Sequence, residues 1–192
     1  MSIRNGRLLY HLTSIDNIEG IIRHGLIPRA ELDNFDDVAD REIIGHRQLH
    51  QLDSKVPFHF FAKNPFDGNV QANNAEKAFV LIAVHRALAQ KKNWQIIPRH
   101  PLAQPFEIYE FDQGMEVIDW NTMDRRDYSD QNCKNICMAE CLAPATVEPR
   151  YFASIYTKTP EQRQLVSSLA EQYRLNIHVN LNQQMFSAGQ RT

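Results

Sequence analysis

The sequence predicts an α+β fold, a single domain built around twisted β-sheets, and three observations carry that expectation. Several short apolar runs read as strands, one helical pattern lies near the N-terminus and another near the C-terminus, and no regular strand–helix alternation joins them. There is no internal repeat, no Gly-x-Gly-x-x-Gly fingerprint and no phosphate-loop glycine pattern. With 192 residues, 43% of them hydrophobic and 23% charged, residues 1–192 have the size and composition of one globular domain with its own core.

The first element is "RLLYHL", Arg7 to Leu12, a short strand. Thr13 then offers an N-cap with Asp16 three residues on, and Ile15, Ile18, Ile21 and Ile22 form an apolar stripe at helical spacing. Gly25 supplies a left-handed stop. Pro28 to Ser54 is polar and mixed in charge, with a few turns of helical pattern around Ile43 to Leu49. It reads as a long irregular segment over a site.

"KVPFHFFAK", Lys55 to Lys63, is rich in strand formers, with Pro57 suited to a strand start or edge, and "NPFDGN" reads as a turn. "AFVLIAVH" is a buried strand, and another is expected around Phe106 to Phe111. Asp119 to Asn135 is polar, after which "ICMAECLAP" reads as a short strand ended by Pro144. The tail gives a strand in "RYFASIYTK", a helix in "PEQRQLVSSLAEQYR" with Pro160 in its first turn, and a last strand in "LNIHVNLN".

A net charge of −2 provides no global basic field, so any phosphate contact must come from a local patch. The longest apolar stretch, Ala78 to Val84, is far short of the roughly 20 residues that cross a bilayer. No secretory leader is recognisable at "MSIRNGRLLYHL", and the expectation is a cytoplasmic protein without a membrane partner. Cys133, Cys137 and Cys141 recur at four-residue spacing without a fourth ligand, which reads as reduced, partly buried thiols and no metal site.

Two places stand out chemically. Period-two alternation in "CMAECLA" puts Glu140 on the same strand face as Met138 and Leu142. A carboxylate placed there needs a partner or a task, because unpaired burial of a charge costs several kcal/mol. His11, Thr13 and Asn17 cross the first strand–helix junction, where they and the helix-start N–H groups would form a polar pocket for an anion or a carboxamide.

Three ordered motifs bring a family into view. "YHLTSIDNIEGIIRHGLIPR" resembles the opening Tyr-His-x-Thr-x-x-x-Asn-x-x-x-Ile-x-x-x-Gly-Leu of the DarT family of DNA ADP-ribosyltransferase toxins. "VPFHFFAKNPF" resembles that family's Val-Pro-Phe-Tyr-Phe strand and following turn, and "AECLAP" its Ala-Glu-Phe-Leu-Val strand. The strand, helix and last strand of the tail, ending near "QQMF", resemble the family's close.

The resemblance implies an ADP-ribosyltransferase-like fold with a central cleft for nicotinamide adenine dinucleotide (NAD), which serves as substrate donor. It also implies a base in single-stranded nucleic acid as acceptor, DNA ahead of RNA. The protein would be the toxin of a toxin–antitoxin or phage-defence pair, opposed by an antitoxin such as an ADP-ribose-removing macrodomain. An RNA-directed enzyme, or an inactive relative that still binds NAD or nucleic acid, is the alternative. By the same resemblance His11, Thr13, Asn17 and Gly25 fall in the NAD-binding motif and Glu140 is the catalytic glutamate. Arg47 is taken as the catalytic arginine, with Arg41 beside it on the NAD side. His59 replaces the family's strand tyrosine at the nicotinamide pocket. Lys63 stands for the basic residue of the next turn, and Lys134, Arg125 and Arg126 are candidates for the arginine that precedes the glutamate strand.

Overall fold

The strands in chain order are β1 (Leu8–Ser14), β2 (Val56–His59), β3 (Phe79–His85), β4 (Gln95–Ile97), β5 (Tyr109–Glu110), β6 (Glu140–Ala143), β7 (Phe152–Thr157) and β8 (His178–Leu181). They form one sheet in the order β5-β4-β6-β2-β1-β3-β7-β8. The computed structural model describes residues 2–32, 45, 50–103 and 105–187.

β3 explains the centre of the sheet. Its Phe-Val-Leu-Ile-Ala-Val run is buried at every position, so it must be covered on both faces. It pairs antiparallel with all of β1, from Leu8↔His85 to Ser14↔Phe79, and with β7 on its other side. β8 lies parallel to β7, because helix α7 (Pro160–Gln172) carries the chain back before β8 begins. Thr159 starts that helix with a capping box to Gln162, and Pro160 takes the first turn, where its missing N–H has no consequence.

Apolar residues cover both faces. The larger cluster collects Leu9, Phe58, Ile82, Val84, Ile96, Cys141 and Ile155 under helix α1 (Ile18–His24) and the later helices. The other face holds two smaller clusters, one around Leu12, Phe79, Leu81 and Phe186, the other of Leu52, Ile97 and Leu142. That second face also carries the acidic residue singled out by pattern.

Several local expectations change. β1 extends through Thr13 to Ser14, and Ser14 rather than Thr13 receives the N–H of Asp16, at 3.3 Å, to open a single 3-10 turn ahead of α1. The expected "NPFDGN" turn starts helix α2 (Pro65–Asn73): Asn64 Oδ1 accepts the Asp67 N–H at 2.9 Å and Pro65 occupies the first turn. The strand expected over Phe106 to Phe111 shrinks to β5, since Phe111 begins a helix that runs to Val117.

The polar stretch before Glu140 contains two further short helices, Trp120–Arg125 and Gln131–Ile136. The three cysteines therefore share no helix face: Cys133 lies in the second of these, Cys137 ends it, and Cys141 is in β6. All are buried and free. Burial pushes the Cys137 thiol up to about 12 and the Cys141 thiol higher still. The helical pattern around Ile43 to Leu49 lies, apart from a helical Gly45, outside the described residues.

Candidate active site

Strand register assembles the site. Tyr10 of β1 faces His59 of β2, His59 faces Glu140 of β6, and Glu140 faces Ile97 of β4. Directly opposed residues on antiparallel strands point to the same side of the sheet, with Cβ atoms about 5 Å apart. One row on one face thus carries a phenol, an imidazole, a carboxylate and an alkyl group. Glu140 is only 5% exposed and shares this face with the apolar Leu142, as alternation requires.

Both histidines have a fixed proton. His59 is buried, and its Nδ1 lies 3.1 Å from the Ala139 carbonyl oxygen, one residue before Glu140. A carbonyl oxygen only accepts, so Nδ1 carries the hydrogen and, in the neutral ring, Nε2 presents a lone pair. The ring lies against Phe66 of α2, with centroids 5.1 Å apart. His11 Nδ1 likewise donates to the Pro57 carbonyl oxygen at 2.8 Å, and its ring leans on Phe58 at 5.7 Å.

The His11 bond marks an opening in the sheet. β1 and β2 share one registered pair, Tyr10↔His59, whereas β1 pairs with β3 along its whole length. Beyond that pair the strands part, and the His11 imidazole bridges the lip where a backbone ladder would otherwise run. Alternation puts His11 and Thr13 on the side opposite Tyr10. Buried Thr13 accepts a hydrogen bond from Asn17 Nδ2 at 3.3 Å, and Asn17 stands at the N-cap position of α1. The motif residues therefore occupy one lip of the split, and Glu140 with His59 the other half-sheet.

Gly25 has a backbone reason for its identity. Its φ is +92°, and a Cβ there would come 2.6 Å from the Val147 carbonyl oxygen, next to the bridge Leu26↔Val147. Arg41 and Arg47 lie outside the described residues. Of the other basic candidates, Arg125 pairs with Asp130 at 3.2 Å and Arg126 sits 5.0 Å over the Phe61 ring. Lys63, at φ +59°, offers its carbonyl to the Tyr128 hydroxyl at 3.3 Å and its N–H to Asp67 at 2.9 Å.

Two residues escaped the sequence reading. Tyr10 belongs to the Glu140 row, and burial, with Tyr156 beside it, raises its phenol pKa. The signal available was the Tyr-His pair itself. Asp67 is almost fully buried, and desolvation lifts its carboxyl to about 7 against the pull of the Lys63 and Asn64 hydrogen bonds. Its signal was the Asn-Pro-x-Asp start of α2.

A buried carboxylate beside an opened strand pair is suited to holding a hydroxyl and stabilising a cation formed in front of it. Among the described residues no cluster of His, Cys, Asp and Glu could hold a metal ion, and no helix is long and apolar enough to cross a membrane.

Known proteins share both the sequence pattern and the fold. A DarT from Thermus sp. 2.9, solved in complex with ADP-ribosylated single-stranded DNA, superposes with a TM-score of 0.84 at 16% identity, covering 94% of this chain and 96% of that one. The same DarT in complex with NAD+ gives a TM-score of 0.79 at 15% identity over 95% and 98%. These likenesses establish the fold. Thermosipho africanus DarTG, in complex with ADP-ribose, gives 0.74 at 25% identity over 94% of this chain and 51% of that one. The curated DNA ADP-ribosyl transferase-DNA ADP-ribosyl glycohydrolase fusion protein of T. africanus is also 25% identical, over 81% of this chain, which spans 43% of the fusion's length. The family model described as ssDNA thymidine ADP-ribosyltransferase, DarT, matches residues 10–187, so the chain belongs to the DarT family.

Proposed function

We propose that this protein transfers ADP-ribose from NAD to thymine in single-stranded DNA, with Glu140 as the catalytic carboxylate and His11, Thr13 and Asn17 on the NAD side of the cleft. The observation that carries the reading is the placement of Glu140, buried opposite His59 beside the opened β1–β2 pair, in a chain matched by the family model over nearly its whole length.

The chemistry suits one carboxylate. When the nicotinamide–ribose bond breaks, its electron pair leaves with nicotinamide, which departs neutral and needs no general acid, and the ribose carbon becomes an oxocarbenium-like cation. Glu140 would hold a ribose hydroxyl and stabilise that charge. In thymidine one ring nitrogen bears the deoxyribose and the other an N–H. Attack by the second forms the new bond to the ribose carbon and releases its proton, for which Glu140 is the nearby base. A duplex ties up that N–H in pairing, which is why an unpaired strand is the substrate. The low exposure around Glu140 limits interception of the cation by water.

Arg47 and Arg41 would hold NAD phosphates or the developing charge from the segment before β2, and His59 would line the nicotinamide pocket. The protein would act in the cytoplasm as a toxin. The fusion relative joins a transferase to a glycohydrolase, which supports an ADP-ribose-removing protein as its antitoxin.

The test is incubation of the protein with NAD and separate DNA and RNA oligonucleotides. A mass increase of one ADP-ribose on thymine-containing single-stranded DNA is expected. Modification of RNA alone would move the reading to an RNA-directed enzyme, and release of nicotinamide with no modified oligonucleotide to a glycohydrolase.

A further inference from the structure

Arg86 is a buried cation held by carbonyl groups. It follows β3 directly and is 7% exposed. Nε donates to Leu8 O at 3.1 Å, one terminal nitrogen to Arg4 O at 2.9 Å and the other to Phe60 O at 2.8 Å. Its guanidinium also lies 5.1 Å from the Phe60 ring centroid and 5.8 Å from that of Trp120. No carboxylate among the described residues pairs with it. Burying a charge in this way is costly, and desolvation lowers its pKa to about 10. Three carbonyls and two ring faces compensate it in part, yet a core position could be filled by an apolar side chain at less cost.

Its location shows what the charge holds together. Leu8 lies two residues before Tyr10 in β1, and Phe60 immediately follows His59 at the end of β2. These flank the single pair Tyr10↔His59 through which the two halves of the sheet meet. On one side of that pair the His11 side chain bridges to Pro57, and on the other Arg86 bridges β1 to β2, each in place of backbone ladder bonds. Gly6 makes room for this: a Cβ there would stand 2.9 Å from the Arg86 terminal nitrogen, although its backbone, at φ −63° and ψ 147°, suits any L-residue.

We propose that Arg86 is a positioning residue for ADP-ribose transfer, a clamp that fixes the β1 half of the cleft, with His11 and Thr13, against the β2–β6 half that carries His59 and Glu140. The proposal rests on the reading of Glu140 as the catalytic carboxylate. Arg86 touches neither substrate. It acts through the alignment of two groups of residues that must grip one NAD molecule from separate half-sheets. A misplacement of about 1 Å between such groups can lower a rate about 100-fold.

The experiment measures kcat and KM for NAD with a thymine-containing single-stranded oligonucleotide, together with NAD affinity by calorimetry and thermal midpoint, in Arg86→Lys, Arg86→Met and Gly6→Ala. Glu140→Gln is the control, and its loss of transfer verifies the underlying reading independently. The expected result is a fall in kcat of about 10-fold or more in Arg86→Met, with NAD affinity within about threefold of the parent. Arg86→Lys, whose ammonium reaches fewer carbonyls, should fall between parent and Arg86→Met. Gly6→Ala, which displaces the guanidinium without altering Arg86, should lower kcat in the same direction. If Arg86→Met does not fold, Gly6→Ala and Arg86→Lys decide. A lowered midpoint with kcat unchanged, or losses of kcat and NAD affinity in equal proportion, would make Arg86 an ordinary structural brace and overturn the proposal.

Discussion

Glu140 and His59 stand directly opposite one another on β6 and β2, and the His59 ring is anchored to the carbonyl of Ala139, the residue before the glutamate. The imidazole is thus held by the backbone immediately ahead of the strand whose carboxylate it faces, so the two groups keep a common geometry.

Replacing Glu140 by Gln keeps the shape and removes the charge. Transfer to single-stranded DNA should fall by about 100-fold or more, because the contact is strongest with the cationic transition state. NAD affinity by calorimetry should change only a few-fold. Near-parent turnover would remove Glu140 from the mechanism, and in cells harmed by the parent protein the variant should relieve the harm.

The N-terminal motif predicts the opposite pattern. His11→Ala and Asn17→Ala should raise KM for NAD, with His11 the larger effect, since His11 also bridges the lip to the β2 backbone at Pro57, whereas the Asn17 bond to Thr13 stays within the motif. Equal NAD affinity in parent and both variants would leave this junction a structural one.

Asp67 sets a pH dependence of stability. Its carboxyl is raised to about 7 in the folded protein from an ordinary value of 3.8. Between those values the folded state keeps a proton that the unfolded chain has lost, so stability falls as pH rises from about 4 to about 7, by at most about 4 kcal/mol, and then levels off. Asp67→Asn should flatten that part of the curve while still accepting the Lys63 N–H. Denaturant melts of the pair between pH 4 and 8 test it, and parallel curves would show that Asp67 is ionised throughout.

For the acceptor, single-stranded DNA should be modified at least about 10-fold faster than the same sequence in duplex, where extruding a base costs a few kcal/mol. The rate should fall with added salt, as phosphate contacts weaken, and further in Arg47→Ala. Equal rates on duplex and single strand, insensitive to salt and to Arg47, would defeat this account of acceptor binding and leave the Glu140 chemistry standing.

Local pattern was a good guide where one element decides its own structure. The apolar run of β3, the stripe and glycine stop of α1, and the Thr159 cap of α7 are all legible by spacing. Asn64 and Phe111 were misread because residues typical of turns and strands also begin helices, and only the pairing of their neighbours decides between the two. Alternation placed Glu140 on an apolar face correctly. Its place in one row with His59 and Tyr10 was not legible, because the register of strands far apart in sequence is set by tertiary packing.

The row Tyr10, His59, Glu140 also has a timetable. Its members come from the beginning, the first third and the last third of the chain, and ribosomes add only about 5–20 residues per second. While β6 is still inside the ribosome, the growing polypeptide can already pair β1 with β3 but has no Glu140 to complete the row. A message broken upstream of the Glu140 codon therefore yields fragments without the carboxylate. Under the proposed function, ADP-ribose transfer by each copy has to wait until β6 has emerged and paired with β2, however early β1 and β3 find one another.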